Sequence, residues 1–178
     1  MKKIAEVFQK KDEINSFEEK LLWREELLYL LQKKKSSDTL LKEIVDNLNL
    51  PASKERINDS DSELINKFDI FFKYLNKPKK TLHKQIIALV NQSEEYLNDN
   101  SKFSTLNNDL FYSDELSNWA NELYYLIQKS VKKDDFIQNI LELLKKAKIV
   151  LIGKDKLELE NHLRMFKIVK HRYIDTKE

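Results

Sequence analysis

One stretch of this chain occurs twice, and it limits the possible folds more than any other feature. Trp23 to Leu48 reads WREELLYLLQKKKSSDTLLKEIVDNL, and Trp119 to Leu144 reads WANELYYLIQKSVKKDDFIQNILELL. Aligned without a gap, Trp23 falls on Trp119, Glu26 on Glu122, Leu27 on Leu123, Tyr29 on Tyr125 and Leu30 on Leu126. Further on, Gln32 falls on Gln128, Lys33 on Lys129, Asp38 on Asp134, Ile44 on Ile140 and Leu48 on Leu144. Helices rich in Lys and Leu resemble one another by chance. Gapless identity at Trp, Tyr and Gln is harder to reach that way, and a repeat has to be weighed before any single helix.

The likeness extends in both directions. Ile4, Val7 and Phe8 fall on Ile86, Leu89 and Val90, and Glu63, Leu64, Phe68 and Phe71 fall on Glu158, Leu159, Leu163 and Phe166. The first copy covers about residues 1–77 and the second about 83–173, with a loop insertion at about 99–112 rich in Asn, Ser and Asp. Each copy is expected to hold four helices. The expected fold class is therefore all-α: an internally duplicated helical bundle of two four-helix repeats, about eight helices packed together. A copy of this size alone would bury only about 60–65% of its unfolded surface, which favours packing of one copy on the other.

Local signals agree. Ile4, Val7, Phe8, Lys11 and Ile14 follow helical spacing over Lys3 to Ile14. Ser16 followed by Glu19 predicts a capping box and a helix over about Phe17 to Lys34. Ser36-Ser37-Asp38 predicts the next start, and Asn49-Leu50-Pro51 its stop near Leu48. Asp59-Ser60-Asp61 reads as the cap of a fourth helix reaching Asn76. In the second copy helices are expected over about Leu82 to Leu97, from Ser113 or Asp114 to Ser130, from Asp134 to Lys148, and from an Asp155 cap to Tyr173. KIVLIG, Lys148 to Gly153, is β-branched but has no partner strand, so a helix end or an extended connector closed by Gly153 is expected.

Composition narrows the function classes. With one Gly there is no phosphate-cradling glycine loop, and without Cys there is no disulfide, thiolate metal site or cysteine nucleophile. No apolar run approaches the ~20 residues of a membrane span. The start MKKIAEVFQKKDEI is too interrupted by charge for a signal peptide. A cytoplasmic location follows as an expectation. His83 and His162 stand without metal-spaced partners, so no metal and no cofactor are expected.

Four features are candidates for function. The first is the repeated polar face, Glu26, Tyr29, Gln32 and Lys33 with Glu122, Tyr125, Gln128 and Lys129, whose spacing puts each set on one helix side. It reads either as a solvated flank or as a contact surface presented twice. The second is the C-terminal third: from Lys145 onward there are ten Lys or Arg against five Asp or Glu. Lys145, Lys146, Lys148, Lys154 and Lys156 could meet nucleic-acid phosphates. The third is LLKEIVDNLNLPASKERIND, Leu40 to Asp59, which reads weakly as a helix-turn-helix with Ser53 to Asn58 as the reader.

The fourth is RMFKIVKHRY, with Arg164, His171 and Tyr173. It resembles the Arg-x(4–6)-His signature of the all-helical HEPN-type ribonucleases, over ten residues. The resemblance implies that Arg and His from two protomers would meet in a cleft and promote attack by an RNA 2′-hydroxyl. The residue after the Arg is Met165 rather than the polar residue often found there, and the first copy has Asp69 and Asn76 at the aligned places. A surface Arg and His on a terminal helix is the competing reading. The expectation for the whole chain is a non-enzymatic helical interaction or scaffold protein that binds a protein partner or itself. The alternative is a nucleic-acid-associated protein, and in its enzymatic form an RNase using Arg164 and His171.

Overall fold

With one glycine and two prolines, little in this chain can interrupt a helix, and helices dominate. A computed structural model describes residues 1–34, 38–50, 54–98, 103–106, 109–112, 114–147, 151 and 153–174. For 54–62, 98, 103–106, 109–112 and 114 it describes the backbone alone. Ser36, Ser37, Pro51, Ser113 and Lys148 lie outside the described residues. The chain divides into two compact units, Met1–Leu75 and Asn76–Glu178.

The first unit holds α1 (Lys2–Gln9), a 3-10 turn (Lys10–Glu13), α2 (Phe17–Gln32), α3 (Thr39–Leu48) and α4 (Lys54–Tyr74). Ser16 and Glu19 start α2 with a complete capping box. The Glu19 N–H donates to Ser16 Oγ at 3.1 Å, and the Ser16 N–H donates back to Glu19 Oε2 at 3.1 Å. Asp38 starts α3 by accepting from the Leu40 and Leu41 N–H groups at 3.0 and 3.4 Å. The core gathers Val7 and Phe8 of α1, Trp23 and Leu27 of α2, Ile44 of α3, and Phe68 and Phe71 of α4. The Phe8 ring lies 4.7 Å from that of Phe68 and 6.3 Å from that of Trp23.

The second unit holds α5 (Lys79–Asn91), α6 (Ser93–Asn98), β1 (Phe103–Leu106), β2 (Asp109–Tyr112), α7 (Asp114–Ser130), α8 (Asp135–Ala147), α9 (Gly153–Val169) and a 3-10 turn (Lys170–Arg172). α7 is its centre and packs against α5, α6 and α8. Leu123 to Ile127 are five buried residues in a row, so this helix is covered on all sides along that stretch. His83 is buried with its Nε2 3.1 Å from the Ser130 carbonyl.

Several expectations need correction. The insertion at 99–112 is not a plain loop: β1 and β2 pair antiparallel, Phe103 opposite Tyr112 and Leu106 opposite Asp109. Helices number nine rather than eight among the described residues, because Gln92 ends α5 and the run Leu82 to Leu97 divides there. Asp59-Ser60-Asp61 caps nothing, since α4 runs through it. Asp and Ser cost only a few tenths of a kcal/mol each in a helix interior, and no Gly or Pro stands there to stop it. Asp155 lies inside the first turn of α9, which begins at Gly153. Gly153 has φ of +55°, and a Cβ there would meet nothing within 4 Å. None of the described helices is long and apolar enough to cross a membrane.

Each unit carries one tryptophan whose Nε1–H reaches a helix carbonyl. Trp23 donates to the Val7 carbonyl at 2.8 Å and Trp119 to the Leu89 carbonyl at 2.9 Å. Trp23→Phe and Trp119→Phe are each expected to lower stability by about 1–3 kcal/mol, from the lost hydrogen bond and the missing ring volume. Leu27→Ala and Leu123→Ala should lower it by about 2–5 kcal/mol. Urea unfolding followed by circular dichroism measures both.

Candidate functional site

α2 is two-sided. Trp23, Leu27 and Leu31 recur every fourth residue and are buried. Leu22, Glu26, Tyr29 and Lys33 follow i, i+4, i+7 and i+11, which places them on one outward stripe at about 100° per residue. Leu22 is 66% and Tyr29 57% exposed, and Glu26, Gln32 and Lys33 are exposed beside them. The Lys33 ammonium sits 3.9 Å from the Tyr29 ring centroid and donates to the Tyr29 hydroxyl. The ring stays largely open to solvent beside that contact.

A groove opens at the end of this stripe. It has a volume of about 280 Å³ and lies where the C-terminal turn of α2 meets α3. Leu31, Leu41 and Val45 form its apolar floor, and Gln32, Lys34, Lys42 and Asp46 its rim. Of the groove residues only Gln32 was among the candidates read from the sequence. The signal available in the sequence was the spacing of Leu41 and Val45, four apart on α3.

The matching residues of α7 keep the contact but not the exposure. Lys129 Nζ donates to the Tyr125 hydroxyl at 2.8 Å, 5.1 Å from the ring centroid. Tyr125 is only 3% exposed, however, and Glu122 and Gln128 are half-buried, with Gln85 Nε2 donating to Glu122 Oε1 at 3.4 Å. The expected twice-presented surface is therefore open on α2 and largely covered on α7. The reason is the apolar surround of α7, where Tyr124, Leu126 and Ile127 are buried too.

The basic residues of the C-terminal third are partly neutralised. Lys146 Nζ lies 3.1 Å from Asp155, and Lys145 lies 5.8 Å from the Tyr124 ring centroid. Lys154 is exposed and Lys156 half-buried. The helix-turn-helix reading fails as drawn, because Lys54 to Asn58 open the 21-residue α4 and form no separate reader.

Among the described residues no hydrogen bond, ion pair or ring contact joins Arg164, His171 and Tyr173 to one another. Arg164 is exposed on α9, beside a crevice of about 10 Å³ with Ser93, Glu94, Glu160 and Lys167, where Lys167 pairs with Glu94 at 3.7 Å. Such a space holds at most one water. His171 is exposed on the 3-10 turn. The Tyr173 hydroxyl donates to Asp134 Oδ2 at 2.8 Å, and its ring stacks on Phe136 and Phe166 at 5.8 and 6.0 Å. His162 Nδ1 lies 2.8 Å from the Glu158 carbonyl, and its ring stacks on Phe136. Among the described residues no group of three or more His, Asp or Glu is placed to hold a metal. Compared with family models, curated proteins and solved structures, the chain matches none.

Asp134 is where α8 starts and where Tyr173 ends. The Ile137 N–H, and then the Tyr173 hydroxyl, hold its carboxyl below the ordinary value of 3.8. Burial, and then Asp134, push the Tyr173 hydroxyl up. The Asn15 and Ser16 N–H groups likewise lower Glu19. A carboxyl depressed in the folded state stabilises above its unfolded value, and that stabilisation is lost as pH falls through the folded value. The urea midpoint is therefore expected to fall as pH drops below about 4. Asp134→Asn should lower the midpoint at pH 7 and flatten its acid dependence. An unchanged acid slope in that variant would rule out this linkage.

Proposed function

We propose that this chain is an internally duplicated, non-enzymatic helical interaction protein, and that it docks a protein partner on α2. The single observation that carries the docking reading is the stripe Leu22, Glu26, Tyr29 and Lys33, leading into the groove floored by Leu31, Leu41 and Val45. Two large exposed apolar side chains framed by charge, next to an apolar groove, suit the face of a partner helix or an extended peptide. An aromatic ring already held by Lys33 loses little freedom when it is covered, which favours it as an anchor.

The duplication is supported by features that recur at aligned positions. Both tryptophans donate to carbonyls at aligned residues, Val7 and Leu89. The first helix of each copy ends at aligned residues, capped by Lys10 and by Gln92. Asp38 and Asp134 accept from the aligned N–H groups of Leu41 and Ile137. α4 and α9 end at the aligned Tyr74 and Val169. On this reading the two copies diverged in exposure: the α2 face stayed open for a partner, and Tyr125 turned structural. A cytoplasmic location belongs to the same proposal.

The test is capture from a lysate of the source organism by the immobilised chain, compared with two variants. Tyr29→Ala and Lys33→Glu should each abolish capture of a stoichiometric protein while leaving the circular dichroism spectrum unchanged. Tyr125→Ala should instead lower stability by about 2–5 kcal/mol. Capture indifferent to both α2 changes would overturn the docking reading. Nuclease-sensitive nucleic acid as the only captured material would overturn the interaction reading altogether.

A further inference from the structure

α9 carries apolar residues on two opposite sides. Leu159, Leu163 and Phe166 are fully buried. Leu157, Met165 and Ile168 are 58%, 49% and 65% exposed. Leu157, Asn161, Arg164 and Ile168 follow i, i+4, i+7 and i+11, so they form one outward stripe with Met165 at its edge. Six large hydrophobic side chains are exposed among the described residues, and three lie on this stripe, where single scattered ones would be ordinary. The aligned positions of α4 are Ser62, Ile70 and Lys73, of which Ile70 is buried and Lys73 exposed. The stripe is thus a property of the second unit.

The charges of α9 are sorted within the span of the stripe. Between Leu157 and Ile168, Glu158 and Glu160 precede Asn161, while Arg164 and Lys167 follow it. Lys154 and Lys156 lie outside the central segment, before Leu157. Among the described residues neither Glu160 nor Arg164 forms an ion pair or hydrogen bond through its side chain. A second copy of α9 laid antiparallel on the stripe sets Leu157 against Ile168 of that copy. It also brings Glu160 beside Arg164 of that copy, twice over by symmetry. A parallel arrangement would set Glu160 on Glu160 and Arg164 on Arg164. The pattern is complementary to itself in one orientation only.

We propose that α9 is a self-association surface, through which two copies of the chain pair antiparallel about a two-fold axis at Asn161–Arg164. Such an interface is isologous, each copy giving the same patch. The aliphatic stripe supplies the affinity, and the reciprocal Glu160–Arg164 pairs set the orientation. One helix pair buries less than a standard interface, so the dimer is expected to exchange with monomer. The stripe shares no residue with the α2 surface, so either assignment can fail alone.

Sedimentation equilibrium over a concentration series into the millimolar range tests this. The apparent mass should rise from 21.3 kDa toward twice that value. Ile168→Glu, at an exposed position, should hold the chain monomeric with an unchanged circular dichroism spectrum. Glu160→Arg and Arg164→Glu should each weaken association by about tenfold, and the double exchange should restore it. The chain has no cysteine, so orientation can be read directly. Leu157→Cys mixed with Ile168→Cys should oxidise to a covalent dimer, while neither variant should do so alone. A monomer at every concentration, a dimer indifferent to Ile168→Glu, or covalent dimers of one variant with itself would overturn the proposal.

Discussion

An indole N–H aimed at the last turn of a helix sets the geometry of each unit. Helix ends leave carbonyls short of partners, and a buried one is costly unless something donates to it. Trp23 donates to the Val7 carbonyl, which also accepts from the Lys10 N–H, and Trp119 donates to the Leu89 carbonyl. Because the donor sits at the end of a rigid bicyclic ring, the distance between the two helices and the place where the first one ends are settled together. The rest follows a turn at a time: Leu27 and Leu31 continue the buried line of α2, and Leu123 and Ile127 that of α7.

Around this shared frame the two units fill their interiors differently. In the first, Arg24 is buried and donates to the Asn47 carbonyl at 2.9 Å, closing the end of α3 with a charge. The aligned residue of the second is Ala120, fully buried. In the first, Lys67 is buried between Glu63 at 2.8 Å and Glu43 at 3.5 Å. The aligned residue of the second is His162, stacked flat on Phe136. Salt bridges of this kind give position more than stability, because desolvation offsets most of the attraction. The second unit has an alanine and a stacked imidazole at these places, and its α7 is buried on all sides from Leu123 to Ile127, where Tyr125 lies.

Helix positions were largely legible in the residues. The Ser16–Glu19 box, the Asp38 start and the stop after Leu48 are short-range signals whose partners lie within four residues, so periodicity and capping chemistry suffice to place them. What was not legible depended on distance. Asp59-Ser60-Asp61 looks like a cap, but whether a helix continues through it depends on what precedes it. The β1–β2 hairpin rests on pairing across two short runs, Phe103 opposite Tyr112, while the abundance of Asn and Ser in the segment favoured a loop. Tyr29 and Tyr125 sit in nearly the same local sequence, and only the surrounding helices decide which one water reaches. The groove of Leu31, Leu41 and Val45 joins two helices and was invisible for the same reason.

Gly153 shows how narrow the chain's dependence on glycine is. Its left-handed φ falls where α9 begins, and the space around its missing side chain is empty. The constraint is therefore on backbone torsion and not on volume. Asparagine, which enters the left-handed region more readily than most, would be strained less there than valine or isoleucine. The single glycine is thus held by its backbone torsion alone, and any side chain placed there would be strained although nothing would touch it.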